Sequence, residues 1–176
     1  MREVEIKARA EDYKAVMAEI EKRYGKGGEV HKTDHYFRVP GEKKQALRVR
    51  ENNGHLEFTA KKTTNDKGGE DNLEYEVELS ISQLDNALMF FRALGYEDFF
   101  IKRKNGFEWM AGSVHVELLS VNELGWFLEM EALLPFDSDE AEAKKANEEL
   151  HRLLHEFSLS ECDIENRSYR KLIVGE

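Results

Sequence analysis

Ionised and apolar side chains alternate at the start of the chain, in the sequence MREVEIKARA. Successive side chains of a β-strand point to opposite faces, so this alternation predicts a strand with one ionised face and one apolar face. The ionised face would carry two carboxylates, an ammonium group and a guanidinium group, on Glu3, Glu5, Lys7 and Arg9. Paired carboxylates can bind a hard divalent cation, and the cationic groups can bind the oxygens of an anion.

The same alternation recurs in six later segments that favour strands. Cationic side chains dominate two of these charged faces, which carry Arg48 and Arg50, and Lys102 and Lys104. Carboxylates dominate two others, which carry Glu74, Glu76 and Glu78, and Glu129 and Glu131. The remaining two faces are mixed and carry Glu57, Thr59 and Lys61, and His115 and Glu117.

Two arrangements of these strands would explain the charged faces. An antiparallel sheet with one face on the core and the other in water accounts for any single strand. If the sheet closes on itself, the charged faces line its interior, where charges are costly unless they meet ligands. Glutamate pairs on three separate strands, together with long cationic side chains, favour this second arrangement. Because Arg and Lys match phosphate oxygens and Glu matches a hard cation, the residues predict a site for a metal-bound polyphosphate.

Eight strands and three main helices are predicted to position these residues. The helices are expected at Glu11 to Tyr24, from an N-cap at Ser82 to Leu94, and from an N-cap at Asp137 or Ser138 to near Phe157. Extended segments are expected at Glu29 to Val39, Phe99 to Trp109, Val114 to Leu119 and Trp126 to Leu134. Asn52-Asn53-Gly54 predicts a hairpin turn, and the polar run from Thr63 to Asn72 predicts a loop that could close over a ligand.

The order of these elements excludes a regular β-α-β alternation, because the helices fall between groups of strands. The favoured fold class is α+β, with an eight-stranded antiparallel barrel or tunnel and helices packed outside it. A length of 176 residues suits one domain, so we expect residues 1–176 to form a single domain.

Composition narrows the class of protein further. The chain is 40% hydrophobic and 35% charged, and no apolar run approaches the roughly 20 residues that span a bilayer. The N-terminal residues as given have no apolar segment of the kind found in signal peptides, so we expect no secretory signal in them. Cys162 is the only cysteine, which excludes an internal disulfide and a cysteine-built zinc site. The net charge of −10 disfavours binding to nucleic acid or to an anionic membrane. A cytoplasmic location is the expectation.

Seven motifs in order resemble the CYTH family, the triphosphate tunnel metalloenzymes. EVEIK has the ExExK pattern near the N-terminus, and LRVRE, FTAKK, LEYEVEL and IKRKNGF resemble the later strands of the family. LGWFLEMEA is similar to its LGxFxExE run, and NRSYRKL resembles the ending of the class IV adenylate cyclase branch. The resemblance covers almost the whole chain and implies a tunnel that holds a triphosphate with Mg²⁺ or Mn²⁺.

The resemblance also implies a role for each matching residue. Phosphate oxygens would be bound by Lys7, Arg48, Arg50, Lys61, Lys102, Lys104 and Arg167. The metal would be held by Glu3, Glu5, Glu129 and Glu131, with Glu74 and Glu76 as further candidates. Before the LGxFxExE run the family usually has an Asp, and Glu117 is the favoured replacement over Ser120. The candidate catalytic residues are Lys7, Glu5 and Glu76, and Lys7 is the candidate general base.

The specific reaction predicted from the resemblance is that of an adenylate cyclase, which converts ATP to cyclic AMP and pyrophosphate. The alternative is a triphosphatase that hydrolyses inorganic tripolyphosphate, thiamine triphosphate or a nucleoside triphosphate. A non-catalytic polyphosphate-binding protein is a third possibility, but it has no need of the intact Glu3/Glu5 and Glu129/Glu131 pairs. The expected partner is a nucleotide or inorganic triphosphate, and the chain would be a monomer or a homodimer.

Three weaker signals have ordinary structural explanations. His31, Asp34 and His35 could suggest a transition-metal site, but the two histidines would lie far apart along a strand. His151 and His155 are four residues apart on the last predicted long helix and could chelate a metal, although they lack the Glu of a zinc protease motif. Trp109 and Trp126 could stack on a base, but a place in the core or at the tunnel rim is favoured.

Overall fold

The computed structural model describes the backbone of residues 2–52, 54–66, 69–80 and 83–175, and all of their side chains except those of residues 61–66, 69–74 and 80. The strands are β1 (Arg2–Arg9), β2 (Gly28–Arg38), β3 (Leu47–Asn52), β4 (His55–Asp66), β5 (Gly69–Ser80), β6 (Glu97–Ala111), β7 (Val114–Val121) and β8 (Trp126–Leu134). The helices are α1 (Tyr13–Tyr24), α2 (Leu84–Ala93), α3 (Glu140–Glu156) and α4 (Tyr169–Val174), with a short 3-10 turn at Glu161–Asp163.

All eight strands belong to one sheet, in the order β1-β8-β7-β6-β2-β3-β4-β5. The pairings from β1 through β8 and β7 to β6, and from β2 through β3 and β4 to β5, are antiparallel. This architecture confirms the predicted α+β fold class, a tunnel-type antiparallel sheet of eight strands with helices packed on it. The sheet has two ends, β1 and β5, so the strand pairing of the described residues is not that of a strictly closed barrel.

The chain divides into two compact units. The first unit contains Met1–Val30 and Lys104–Ser168, and the second contains His31–Arg103 and Tyr169–Glu176. Each unit has its own cluster of buried apolar side chains.

In the first unit, the apolar faces of β1, β7 and β8 pack under α1 and α3. The buried side chains include Ile6, Val16, Ile20, Val116, Leu118, Leu128, Met130, Leu150, Leu153 and Leu154. Their helical residues recur at spacings of three and four, which places them on one face of each helix. The alternation read from MREVEIKARA is thereby explained, since Ile6 and Ala8 are buried while the ionised residues point to the opposite face.

The long helix α3 begins with a capping box. Asp139 accepts a hydrogen bond from the backbone N–H of Glu142, and the Glu142 carboxylate accepts one from the backbone N–H of Asp139. This reciprocal arrangement satisfies two backbone N–H groups at the start of the helix. The N-cap residue is therefore Asp139, and the predicted caps, Asp137 and Ser138, are wrong. The predicted end of this helix near Phe157 is confirmed.

In the second unit, α2 packs on β3 over a smaller apolar cluster. Its buried members are Phe37, Leu47, Val49, Leu56 and Leu88. The predicted N-cap of α2, Ser82, lies outside the described residues, and the helix starts after Gln83, whose side chain makes no capping hydrogen bond. No helix in the described ranges has the length and hydropathy needed to cross a bilayer.

The hairpin between β3 and β4 is confirmed, whereas the next predicted loop is not. Asn52 pairs with His55 across the first turn, and Gly54 has the positive φ of 91° that such a turn favours. The segment from Thr63 to Asn72 was expected to be a loop, but β4 and β5 stay paired as far as Asp66 and Gly69. Polar side chains do not prevent backbone pairing across a hairpin, which is why polarity alone misplaced this boundary. Residues 67 and 68 lie outside the described part.

Gly106 on β6 lies against the backbone of β7, where a side chain has no room. A Cβ atom at this position would lie 2.0 Å from the carbonyl oxygen of Leu118. We expect Gly106→Ala to lower the free energy of unfolding by about 2 kcal/mol or more, since overpacking costs roughly 1–3 kcal/mol and backbone yields less easily than a side chain. Denaturant titration measures the difference. Gly28→Ala is the control, because its nearest neighbour would be Glu108 Cγ at an ordinary 3.6 Å, and equal stability of the two variants would contradict the prediction.

Candidate functional site

The ionisable residues that the sequence singles out fall into two groups, one in each unit. The first unit contains Glu3, Glu5, Lys7, Lys104, Glu117, Glu129, Glu131 and Arg167. The second unit contains Arg48, Arg50, Lys61, Glu74, Glu76 and Lys102. We call the five glutamates of the first unit, together with Lys7 and Lys104, the acidic cluster. We call Arg48, Arg50 and Lys102 of the second unit, together with Asp34, the cationic cluster.

The register of β1, β8 and β7 brings the acidic cluster together. Glu5 is paired with Glu131, and Lys7 is paired with Glu129. On the other side of β8, Glu129 is also paired with Glu117. Directly opposed residues of antiparallel strands have Cβ atoms about 4.5–5.5 Å apart and point to the same face. Three neighbouring strands therefore place carboxylates side by side on one face of the sheet.

Lys104 extends this cluster from β6. Its ammonium nitrogen lies 2.6 Å from Oε2 of Glu129, and both side chains are largely buried. Glu117 is also buried, with 6% of its surface exposed. A charge-assisted hydrogen bond at this depth holds the Lys104 and Glu129 side chains in fixed positions.

Glu5 has a raised carboxyl pKa. Its side chain is accessible to solvent, but surrounding protein atoms partly desolvate the carboxylate, and this burial is the largest cause of the shift. The negative charges of Glu129 and Glu3 raise the pKa further, while Lys104 and Lys7 offset part of the effect. A divalent cation beside Glu5 would compensate this crowded negative charge.

Lys7 has a lowered ammonium pKa, for which burial is the main cause. The neighbouring carboxylates of Glu5 and Glu129 act in the opposite direction. Its ammonium group donates a hydrogen bond to the backbone carbonyl of Arg167. The neutral amine is therefore easier to form than in an ordinary lysine, as a general base requires.

The segment around Arg167 is fastened along β1. The backbone N–H of Glu165 donates to the carbonyl of Lys7 at 2.8 Å, and Ile164 forms a β-bridge with Ala8. The Arg167 guanidinium binds the carboxylate of Glu165, which also binds Arg9. The predicted phosphate ligand Arg167 is thus placed near Lys7 by its backbone. Its exposed side chain is held in an ion pair with the largely buried carboxylate of Glu165.

Asp34 is the shared anionic partner of two residues of the cationic cluster, Arg50 and Lys102. It is fully buried, and the β2–β3 register pairs it with Arg50. Arg50 donates two hydrogen bonds to its carboxylate, at 2.6 and 3.1 Å, and the Lys102 ammonium lies 3.0 Å away. The Tyr36 hydroxyl donates a third hydrogen bond, at 3.2 Å. One carboxylate therefore orients two of the predicted phosphate-binding cations.

These contacts shift the ionisation of Asp34 and Tyr36. Burial alone would raise the pKa of Asp34, but the hydrogen bonds from Arg50 and the charge of Lys102 outweigh it and hold the pKa well below its usual range. Burial and the adjacent Asp34 charge raise the pKa of Tyr36 to about 12. The Lys102 ammonium also lies 5.5 Å from the Tyr36 ring centre and 5.4 Å from that of Tyr169, within the range of a cation–π interaction.

Arg48 retains an unused donor. Its Nη2 donates to the Glu57 carboxylate and to Oγ1 of Thr59, the latter at 2.7 Å. Its Nε–H is buried, and no acceptor among the described residues lies within hydrogen-bonding distance. Glu76, a predicted catalytic and metal-binding residue, is half-exposed and approaches Arg48 to 3.8 Å. A guanidinium with a buried, unsatisfied N–H is suited to an anion that brings its own acceptors.

Two predicted residues of the second unit cannot be described beyond their backbone. Lys61 and Glu74 are paired in register across β4 and β5, but their side chains lie outside the described part. Asp34 is the residue that sequence reasoning missed, since His31, Asp34 and His35 suggested only a weak metal site. Asp34 is identified by its position opposite Arg50, and that position can be recognised only when the register of β2 and β3 is known.

Both tryptophans occupy structural positions in the first unit, as favoured by the sequence. Trp109 is buried and its indole N–H donates to the carbonyl of Gly25 at 2.9 Å. Trp126 stacks on Tyr13 with ring centres 4.0 Å apart.

Comparison with known proteins agrees with the fold. The family model described as "CYTH domain" matches residues 1–169. A protein of Methanocaldococcus jannaschii named "Putative adenylate cyclase" is 28% identical over 180 residues, which cover 98% of this chain and 98% of that protein.

Solved structures with the same fold span nearly the whole chain. A protein from Pyrococcus horikoshii OT3 matches with a TM-score of 0.72 at 27% identity, over 97% of this chain and 99% of that one. A structure from Vibrio parahaemolyticus described as "a putative adenylate cyclase" matches with a TM-score of 0.74 at 23% identity, over 98% of this chain and 97% of that one. At that identity, the second likeness shows the fold alone.

Proposed function

The chain belongs to the CYTH domain family, and from this premise we propose that it is a divalent-metal-dependent enzyme that acts on a triphosphate. The specific activity proposed is that of an adenylate cyclase, which forms cyclic AMP and pyrophosphate from ATP. The full-length relative from Methanocaldococcus jannaschii carries that name, which supports the choice. We also propose that residues 1–176 form one catalytic domain. The protein would be cytoplasmic and either a monomer or a homodimer.

The observation that carries the proposal is the pairing of carboxylates around Glu5 by the register of β1, β8 and β7. Burial and the charges of Glu129 and Glu3 raise the pKa of Glu5, and a divalent cation would compensate this negative charge. Carboxylate oxygens are the preferred ligands of Mg²⁺ and Mn²⁺. The ligands would come from Glu3, Glu5, Glu117, Glu129 and Glu131, with Glu74 and Glu76 as further candidates.

When bound, the metal would neutralise phosphate oxygens and promote attack by the nucleophile. The side chains proposed to bind phosphate oxygens are the cations that match the family motifs: Lys7, Arg48, Arg50, Lys61, Lys102, Lys104 and Arg167. Asp34 would keep Arg50 and Lys102 in place, so that they need not reorganise as negative charge develops. Arg48 would donate its unused Nε–H to a phosphate oxygen.

In the cyclase reaction, the ribose 3′-hydroxyl attacks the α-phosphorus. The bond between the α-phosphorus and the oxygen that bridges it to the β-phosphorus breaks, and pyrophosphate leaves. The hydroxyl proton must pass to a base. Glu5, Lys7 and Glu76 are the candidates, and the first two have pKa values that burial shifts towards neutrality.

Triphosphate hydrolysis is the alternative activity, and it could use the same lowered pKa of Lys7. A lysine whose neutral amine is accessible can take a proton from water, which replaces the ribose hydroxyl as the nucleophile. The substrate would then be inorganic tripolyphosphate, thiamine triphosphate or a nucleoside triphosphate.

Product analysis distinguishes these activities. The protein is incubated with ATP, tripolyphosphate or thiamine triphosphate and either Mg²⁺ or Mn²⁺, and the products are resolved by anion-exchange chromatography. We expect cyclic AMP and pyrophosphate in equal amounts from ATP, with no turnover when the metal is chelated. Orthophosphate release would establish the triphosphatase instead. Tight triphosphate binding without turnover with either metal would refute both activities and identify a binding protein.

A further inference from the structure

A histidine lies between two carboxylates at one edge of the acidic cluster. Glu108 on β6 is paired in register with Glu117 on β7, and His115 precedes Glu117 by two residues on the same face. The His115 Nε2 atom lies 2.9 Å from Oε2 of Glu108. One ligand atom from each of Glu108, His115 and Glu117 can be chosen so that all three lie within 4.8 Å of one another.

The three side chains differ in their access to solvent. Glu117 is buried, whereas the side chains of Glu108 and His115 are 39% and 35% exposed. Glu108 lies over Gly28, where a Cβ atom would approach its Cγ to 3.6 Å. The group is therefore anchored on its buried side and open on the other, where solvent or substrate atoms could complete a coordination shell.

We propose that Glu108, His115 and Glu117 form a site for a borderline divalent cation of the Zn²⁺ and Co²⁺ class. Imidazole nitrogen is a preferred ligand of these ions, whereas Mg²⁺ takes oxygen ligands almost exclusively. One nitrogen and two carboxylates are a ligand set that holds Zn²⁺ while leaving a coordination position open. The site adjoins the other carboxylates of the acidic cluster through Glu117, but it depends on His115 and Glu108, which the proposed reaction does not use.

A second histidine group in the same unit provides a matched control. His151 and His155 on α3 approach the same oxygen of Glu161, at 2.7 and 3.4 Å, on the protein surface. Substitution of His151 removes an imidazole that contacts a carboxylate, as substitution of His115 does, but leaves the β-sheet untouched.

The test uses the metals alone, without substrate. Zn²⁺ and Mg²⁺ are titrated calorimetrically into the wild-type protein and into the variants His115→Ala, Glu108→Gln and His151→Ala. We expect the first two variants to bind Zn²⁺ at least about tenfold more weakly, since even the loss of an outer-shell partner typically costs 10–100-fold in metal affinity. Affinity for Mg²⁺ should be unchanged, and His151→Ala should bind Zn²⁺ as the wild type does.

Nuclear magnetic resonance of ¹⁵N-histidine-labelled protein gives a readout that does not depend on affinity. One equivalent of Zn²⁺ should shift the Nε2 resonance of His115, identified by its loss in His115→Ala, while Mg²⁺ should leave it in place. Unchanged Zn²⁺ affinity in His115→Ala and Glu108→Gln, or a loss confined to His151→Ala, would overturn the proposal. Because no turnover is measured, failure here would leave the proposed triphosphate activity untouched.

Discussion

The Glu5→Gln variant is expected to lose metal-dependent triphosphate turnover by about 100-fold or more, because a bound metal supplies several kcal/mol of transition-state stabilisation and about 1.4 kcal/mol corresponds to a factor of ten. Glutamine keeps the size of the side chain but removes the negative charge that attracts a hard cation. Initial rates over a range of Mg²⁺ and Mn²⁺ concentrations measure the loss and separate weaker metal binding from a slower reaction.

The same substitution should stabilise the metal-free protein. Burial and the neighbouring carboxylates raise the pKa of Glu5 in the folded state. The folded protein then binds more protons than the unfolded chain just above the ordinary glutamate pKa of about 4.3, so the stability of the wild type falls as the pH rises through this window. In a chelating buffer at pH 7, Glu5→Gln should therefore melt at a higher temperature than the wild type. The difference should disappear as the pH approaches about 4.

Glu148→Gln is the matched control for both measurements. Glu148 lies on α3 in the same unit, is exposed, and makes only a surface ion pair of 3.8 Å with Lys144. Removing its charge should leave both turnover and the melting temperature at pH 7 unchanged. Full activity of Glu5→Gln, or an equal loss in the control, would contradict the assignment of the N-terminal carboxylates to metal binding.

The second large effect is expected at Asp34. Asp34→Asn should lower the free energy of unfolding by about 3–5 kcal/mol, because removing one partner of a buried ion pair leaves the other charges uncompensated. The charges left without their partner would be those of Arg50 and Lys102, which are themselves largely buried. Denaturant titration at neutral pH measures the change.

The dependence on pH gives this prediction a second signature. The folded-state pKa of Asp34 lies far below its ordinary value, so its contribution to stability is complete above about pH 4 and declines only as the pH falls further. The gap between wild type and Asp34→Asn should therefore be constant from about pH 8 to about pH 4 and narrow below that.

Asp98→Asn is the control for the Asp34 substitution. Asp98 binds Arg92 through two hydrogen bonds of 2.8 and 2.9 Å, so its geometry matches that of Asp34 and Arg50. This pair is about half-exposed, and exposed pairs contribute at most about 1 kcal/mol. If both variants lost the same stability, burial would not be the source of the effect.

Much of the fold followed from the alternation of charged and apolar residues. Strand β8 has the predicted bounds, and the ionised face of β1 was recognised from its period of two. The pattern predicts β1 well because the face opposite its charges packs under helices, where Ile6 is buried. The boundary at Thr63 could not be read in the same way, because backbone pairing between β4 and β5 continues without apolar side chains.

The candidate site was harder to predict because its geometry depends on register. The sequence places Glu5 and Glu131 on charged faces, but only the pairing of β1 with β8 shows that they are opposed. Asp34 was missed for the same reason, since its role depends on Arg50, its partner on the neighbouring strand. A buried aspartate that orients cations has no local signature, whereas the ExExK pattern of the first strand is visible in one segment.

The division of the chain also bears on the order in which the protein folds. The first unit unites Met1–Val30 with Lys104–Ser168, so β1 leaves the ribosome long before the β8 strand that it must pair with. Residues His31–Arg103 of the second unit are continuous and can pack in the interval. Pairing β1 with β8 closes a longer loop of chain than any pairing within His31–Arg103, so it has the larger entropic cost and is slower. The opposition of Glu5 and Glu131 is therefore established late in synthesis, and a chain halted before β8 would expose the strand that carries the ExExK residues without its partner.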